Sequence, residues 1–267
     1  MVDAVVLAGS TNNGPLKECS PARHEALIPI GNKTMVEHVV DALLKARNVN
    51  RVLIIGPVDE LSGLAFDSRT STAASCGGIL ENIEAGLEKL PGEKRILLVT
   101  SDIPLLTPQA VDDFLGLCGD MSGDLYYPVI GKAVVESKFP GTTRTYVKLK
   151  EGTFTGGNLF LLNPAVFKKC VENGREIINL RKSPIGLCRL LGLKFVVKFL
   201  MRSLTLREAE EKVSQLLGGI KGVVVISKHP EVGVDVDKPG DFELALKTIG
   251  DIPRPCRAGF NPPKTSG

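Results

Sequence analysis

Val2-Asp3-Ala4-Val5-Val6-Leu7, followed without a break by Ala8-Gly9-Ser10-Thr11-Asn12-Asn13-Gly14, decides the fold. The first six residues are rich in Val and Leu, too few for a helix, and stop at a Gly-containing loop, which reads as a buried parallel strand. Working outward, Met35 to Ala46 repeats apolar residues at helical spacing, and Arg51 to Ile55 is a second short apolar run. That is a β-loop-α-β unit. A further helix is expected from Gly78 to Leu90 and the next strand from Arg95 to Thr100, ending in Ser101-Asp102-Ile103-Pro104. Strands that alternate with helices predict a parallel sheet covered on both faces.

From Leu125 the texture changes. Leu125 to Ile130, Thr145 to Lys150 and Thr153 to Leu162 are strand-like with no long helix between them, so antiparallel additions at one edge of the sheet are expected. A mostly helical stretch runs from Pro164 to Leu217, then an apolar strand from Val223 to Ser227, a turn at Gly233-Val234-Asp235-Val236-Asp237 and a closing helix near Asp241 to Ile249. The tail from Asp251 carries Pro253, Pro255, Pro262 and Pro263 with little apolar content and is expected to be poorly ordered. The expected organisation is one α/β domain over 1–250, with a helical insertion at 164–217, and a flexible tail at 251–267.

Composition narrows the class. With 267 residues, 43% apolar and 24% charged, the chain is neither disordered, collagenous nor a coiled coil. A net charge of +3 argues against a general nucleic-acid coat protein. Cys19, Cys76, Cys118, Cys170, Cys188 and Cys256 form no CxxC pair, so neither a zinc site nor a disulfide framework is written here, and a reducing cytoplasm fits best. An acid at Asp3 and a short apolar run do not follow the pattern of an export signal, and the chain is expected to stay inside the cell.

Three pieces can carry chemistry. Small residues at Ala8, Gly9 and Ser10, at the carboxyl end of a parallel strand, let backbone N–H groups approach phosphate, although such loops are as often plain turns. Neither the Walker pattern nor GxGxxG is present, which lowers the case for a P-loop NTPase or a dinucleotide dehydrogenase. Asp102 follows an apolar strand, where a hard carboxylate suits Mg²⁺, or simply caps the next helix. Asp235 and Asp237 alternate about Val236, so both face one side of an extended segment and one of them can complete such a site. Ordinary turn chemistry before Lys238-Pro239-Gly240 is the local alternative.

The three pieces occur together and in order, and the chain resembles the MobA-like nucleotidyltransferases, relatives of molybdenum-cofactor guanylyltransferase and of the sugar-phosphate nucleotidylyltransferases. The resemblance is carried by VVLAGS at 5–10, ALIPIGNKTMVEHVVDAL at 26–43, LLVTSDIPLL at 97–106, FTGGNLFLLNP at 154–164 and VGVDVDKPGDFELAL at 232–246. It implies a GT-A-like, Rossmann-type α/β fold with a mixed, mostly parallel sheet. It also implies a reaction in which an NTP, GTP or CTP favoured over ATP, and a phosphorylated small-molecule or lipid-like acceptor give an NDP-linked product and pyrophosphate. By the same resemblance Ala8, Gly9 and Ser10 bind the nucleotide phosphates, Gly77 and Gly78 lie near the base, Asp102 and Asp235 hold Mg²⁺, and Gly157 and Asn158 meet the acceptor. Two departures stand out. The Gly-Gly and Arg-containing loop is replaced by Gly9 to Lys17, and the Lys expected before the Ala-Leu-x-Pro-Ile run is Glu25. A carboxylate there repels a triphosphate, leaving Lys17, Arg23 or Lys33 to supply the missing charge. A nucleotide-binding protein without turnover, and a glycosyltransferase on the same fold, are therefore kept as alternatives.

On the acceptor side Lys138, Arg144, Lys148 and Lys150 cluster, and Arg144 and Lys148 are expected to hold an acceptor phosphate unless they form a solvated strand face. The 174–207 stretch carries Arg175, Arg181, Lys182, Arg189, Lys194, Lys198, Arg202 and Arg207 against the single acid Glu176. Lys194, Lys198 and Arg202 recur every four residues beside a broad apolar face, and their charges rule against a transmembrane helix. Peripheral contact of 184–204 with an anionic membrane is one expectation; packing in a homodimer interface or on the chain's own sheet is the commoner fate of such a segment.

Overall fold

Val2–Leu7 is β1, every residue but the last buried; both faces of the strand are covered, so it is mostly apolar, and its one acid, Asp3, pairs with Arg51. The computed structural model describes residues 1–171 and 190–250. After β1 come a small hairpin, β2 (Pro29–Ile30) and β3 (Lys33–Thr34), then α1 (Met35–Lys45), β4 (Val49–Gly56), α2 (Val58–Leu61) and β5 (Thr70–Ala74). Next are α3 (Ile79–Glu88), β6 (Ile96–Thr100), α4 (Pro108–Leu117), β7 (Leu125–Gly131) and α5 (Lys132–Lys138). The chain continues through β8 (Val147–Leu149), β9 (Gly152–Gly156), β10 (Leu159–Leu162), α6 (Leu193–Leu200), α7 (Leu206–Leu216), β11 (Gly222–Ser227) and α8 (Pro239–Ile249).

One mixed sheet organises these elements in the order β5-β4-β1-β6-β10-β7-β9-β8, with β11 added to β7. The strands β5, β4, β1 and β6 are mutually parallel, β10 is antiparallel to β6 and β7, and β11 runs parallel to β7. Mostly parallel strands flanked by helices make this a Rossmann-like α/β fold. The carboxyl ends of β1, β4, β5 and β6 therefore open on one edge, where ligands of such sheets bind.

The helices fix that edge. α1 buries Met35, Val36, Val39, Val40 and Leu43, and Thr34 with Glu37 closes its first turn as a reciprocal capping box. On the other face α3 packs on Val5, and at Gly86 a Cβ would lie 2.8 Å from Val5 Cγ1. The missing side chain lets α3 sit close to β1 and brings its amino end to the carboxyl edge of the sheet.

Three local features differ from the sequence expectation. β5 (TSTAA) carries no apolar run because it is a half-exposed edge strand, so hydrophobic patterning does not mark it. The segment expected as one strand over 153–162 is two, since Gly157-Asn158 bulges out between β9 and β10 and the register against β7 shifts there. α5 joins β7 to the antiparallel edge where no helix was expected. Of the helical stretch expected at 164–217, the described residues hold a short turn at Pro164–Val166 that continues as helix to 171, then helical residues at 190–191, α6 and α7. Arg175, Arg181, Lys182 and Arg189, and the tail at 251–267, lie outside the described residues.

Candidate active site

The Gly loop is shaped by close packing. Ala8 N–H donates to Ile55 O (2.8 Å), continuing the sheet by one residue. A Cβ on Gly9 would lie 2.9 Å from Ser75 Cβ and 3.1 Å from Asn82 Nδ2, so only glycine fits between the ends of β1 and β5. Asn82, buried on α3, accepts a hydrogen bond from Cys76 N–H (2.7 Å) and so shapes the Cys76-Gly77-Gly78 turn beside Gly9. Gly77 has φ of +66°, a conformation that favours glycine, and Gly78 is the exposed N-cap of α3. Gly9 and Gly77-Gly78 are thus brought together, with Ser10 exposed beside them.

Residues 10–25 fold back as an ordered loop. Glu25 N–H donates to Ser10 O (3.1 Å) and Asn12 N–H to Arg23 O (2.9 Å). The buried Asn12 side chain donates to Ser20 O (3.1 Å) and Ala22 O (3.0 Å). Asn12 and Asn82 hold the loops from inside, and neither is distinguishable in sequence from an ordinary turn or helix residue. Lys17 and Arg23 are exposed on this loop and carry no ion partner among the described residues. Lys33 is occupied by Asp41.

The acids meet across the edge. Asp102 stands just past β6, where the Thr100 hydroxyl donates to its carboxylate and its own carbonyl accepts from Val236 N–H (2.8 Å). That backbone bond brings the 235–237 turn to the strand end. Asp102, Asp235 and Asp237 each offer an oxygen within 4.8 Å of the others. The alternation about Val236 seen in the sequence places both later acids toward Asp102. Burial, then repulsion from Asp235 and Glu25, push the Asp102 carboxyl up to about 6 despite the bond from Thr100. Asp237 is pushed up to about 7 by burial, by Asp235, which shares a hydrogen bond with it, and by Asp102 and Glu25. Three converging carboxylates that resist ionising together are a donor set suited to a hard divalent cation such as Mg²⁺.

Arg144 corrects an expectation. It does not face an acceptor: its side chain is 6% exposed, with Nη1 on Asp235 Oδ1 and Nη2 on Asp235 O (2.7 Å) and Asp241 Oδ1 (2.9 Å). A cation among strands reads in sequence as a ligand or a solvated face, and only the fold brings it to acids 91 and 97 residues away. Lys148, on β8, and Lys150 are exposed, while Lys138 holds the buried Glu231 (2.8 Å). Gly157 is buried, its N–H on Pro128 O (2.9 Å), and a Cβ there would meet Val232 Cγ1 at 2.7 Å. Its packing leaves no room for a side chain. Asn158 is half-exposed, accepts from Thr100 N–H (3.1 Å) and so lies next to the acidic corner.

In the segment expected at 184–204, Lys194 is exposed, Lys198 pairs with Glu208 of α7, and α6 ends before Arg202, so the three cations do not form one helical stripe. Leu200 and Met201 are each 72% exposed. Among the described residues no helix is long and apolar enough to cross a membrane.

Residues 4–171, more than half of the chain, match the model of the MobA-like NTP transferase domain. A 2-C-methyl-D-erythritol 4-phosphate cytidylyltransferase from Klebsiella pneumoniae is 32% identical over 148 residues, which are 53% of this chain and 60% of that protein. The match therefore spans less than two thirds of that relative's length. Among solved structures, a hypothetical transferase from Thermus thermophilus is 38% identical with a TM-score of 0.80, over 90% of this chain and 99% of the other. A CMP:2-keto-3-deoxy-manno-octonic acid synthetase complexed with CTP shares the fold, with a TM-score of 0.58 at 14% identity, over 93% of this chain and 98% of that one.

Proposed function

Because the chain belongs to the MobA-like NTP transferase domain family, we propose that it is a nucleotidyltransferase that moves a nucleoside monophosphate from an NTP to a phosphorylated acceptor, with Mg²⁺ as cofactor. The observation that carries this reading is the acidic corner of Asp102, Asp235 and Asp237, on the same sheet edge as the Gly9 and Gly77-Gly78 turns. The cytidylyltransferase and the CTP-bound synthetase favour CTP as the donor, with GTP the next choice.

In this reading the backbone at Ala8, Gly9 and Ser10 receives the phosphates, and the Gly77-Gly78 turn leaves flat space for the base. Lys17 and Arg23 offset the charge of the triphosphate against Glu25. Asp102 and Asp235, with Asp237 beside them, would hold the cation, which when bound would supply charge neutralisation on the phosphates. The acceptor phosphate oxygen then forms a bond to the α-phosphorus while the bond from that phosphorus to the β-bridging oxygen breaks, and pyrophosphate leaves with the electron pair. Such chemistry needs positioning more than a general base. Lys148, Lys150 and Asn158 are acceptor-side residues that remain accessible.

A pyrophosphate-release screen with each of the four NTPs, Mg²⁺ and a library of sugar, polyol and lipid phosphates tests the proposal. Release that requires an acceptor supports it. The field of Glu25 on Asp102 and Asp237 motivates a second reading, nucleotide binding without turnover, and this is the reading left if nucleotide binds and no acceptor triggers release. Release of a nucleoside diphosphate from an added nucleotide-sugar, with no pyrophosphate from any NTP, would instead indicate a glycosyltransferase. The exposed Leu200 and Met201 keep membrane contact as a proposal for 184–204, and flotation with anionic against neutral liposomes decides it.

A further inference from the structure

The stretch from the end of α5 to β8 grips the acid-bearing segment at two points. Lys138 Nζ lies 2.8 Å from Oε2 of Glu231, a residue 2% exposed whose other oxygen accepts from Thr107, the N-cap of α4 (2.9 Å). Six residues later Arg144 spans the next turn, from the Asp235 carboxylate and carbonyl to Asp241 in the first turn of α8. Both acids held by Arg144 belong to the segment that delivers Asp237. An arginine fork on a carboxylate and its own backbone carbonyl fixes direction as well as charge. Its burial leaves no free face for a substrate phosphate.

We infer that Arg144 is a positioning residue that ties up one carboxylate oxygen and the carbonyl of Asp235, weakening the pull of Asp235 on a cation at the corner, and turns the segment so that Asp102 and Asp237 carry most of the ion's binding. The inference rests on the divalent-cation reading above and goes beyond it by dividing three adjacent carboxylates into two main ligands and one weakened by its tether. A site with two carboxylates binds Mg²⁺ loosely until phosphate oxygens fill its shell, which suits an ion that travels with nucleotide. Three free carboxylates would instead hold a resident ion.

The test is Mn²⁺ binding followed by electron paramagnetic resonance on the full chain, with and without CTP. Arg144→Met frees Asp235 and is expected to bind Mn²⁺ without nucleotide about 10-fold more tightly than wild type, as one added carboxylate near the ion should. The double variant Arg144→Met/Asp235→Asn removes the freed charge and is expected to return to within ~2-fold of wild type. A residue that served stability alone would lower or leave unchanged the affinity when removed. With Arg144 intact, Asp235→Asn should weaken Mn²⁺ binding by only ~2-fold and Asp237→Asn by at least ~10-fold. Folded Arg144→Met that binds Mn²⁺ no more tightly than wild type overturns the inference. Should that variant fail to fold, an equal loss in Asp235→Asn and Asp237→Asn overturns it, and the unequal loss supports it. A wild-type chain that binds no Mn²⁺ even with nucleotide defeats the cation reading itself and the inference with it.

Discussion

The two sides of the sheet edge are built by opposite means. On the glycine side, shape is set by what is missing: Gly9 yields to Ser75 and Asn82, Gly77 takes a positive φ, and neutral hydrogen bonds from Asn12 hold the loop. On the acidic side, shape is set by charge: three carboxylates crowd together, Glu25 adds to the repulsion, and Arg144 holds one of them in place. The glycine side is complete without a ligand and the acidic side is not. That difference makes the first a cradle and the second a place where a cation is needed.

The largest effect expected is at the acidic side. Asp102→Asn keeps the shape of the strand end and removes a charge, so turnover should fall by ~10³-fold or more with the thermal midpoint preserved. Pyrophosphate release and differential scanning fluorimetry on one preparation check both halves, and undiminished release would break the contrast between the two sides. At the glycine side Gly9→Val forces a branched side chain against Ser75 and Asn82. A cost of ~1–3 kcal/mol in stability is expected together with weaker nucleotide binding, read by denaturant unfolding and calorimetry. Loss of stability without loss of affinity would show a packing role alone.

A pH series sharpens the charge half of the comparison. Asp102 and Asp237 have folded-state pKa values of about 6 and about 7, raised above the ordinary carboxylate range. Between the ordinary range and those values the folded chain binds more protons than the unfolded one, so the stability these two groups contribute is lost as pH rises. The metal-free thermal midpoint should fall relative to Asp237→Asn between about pH 4 and pH 7, and millimolar Mg²⁺ should restore it at the upper end. Parallel profiles for the two chains would count against the crowded acids. The smallest effects belong to exposed cations: Lys17→Ala and Arg23→Ala should each raise the KM for NTP by ~3- to 10-fold with kcat little changed, because solvent screens charges in open loops.

The parallel half of the fold is legible because buried strands such as Val2–Leu7 and Ile96–Thr100 write apolar runs, interrupted in the first only by Asp3, that lead into Gly9 and Asp102. β5 is hidden because an edge strand need not be apolar, and the Gly157-Asn158 bulge is hidden because its cause is the approach of Val232 from far along the chain. Asp102 and the alternating pair Asp235 and Asp237 are visible as residues. Their division of labour is not, because it depends on Arg144, whose partners are chosen by the fold. Asn82 illustrates the same limit: a buried polar side chain that accepts one backbone N–H has no signature in its own stretch of helix.

In the proposed function the glycine cradle and the acidic corner form a single nucleotide–cation site. The measurement that reaches it most directly, and without knowing the acceptor, is Mn²⁺ titration followed by electron paramagnetic resonance, with and without each NTP. Weak binding of the ion alone, at least ~10-fold tighter binding with the cognate nucleotide, and loss of that gain in both Asp102→Asn and Gly9→Val are expected. Mn²⁺ affinity that no nucleotide changes, or a gain that survives in Asp102→Asn, would contradict the single site.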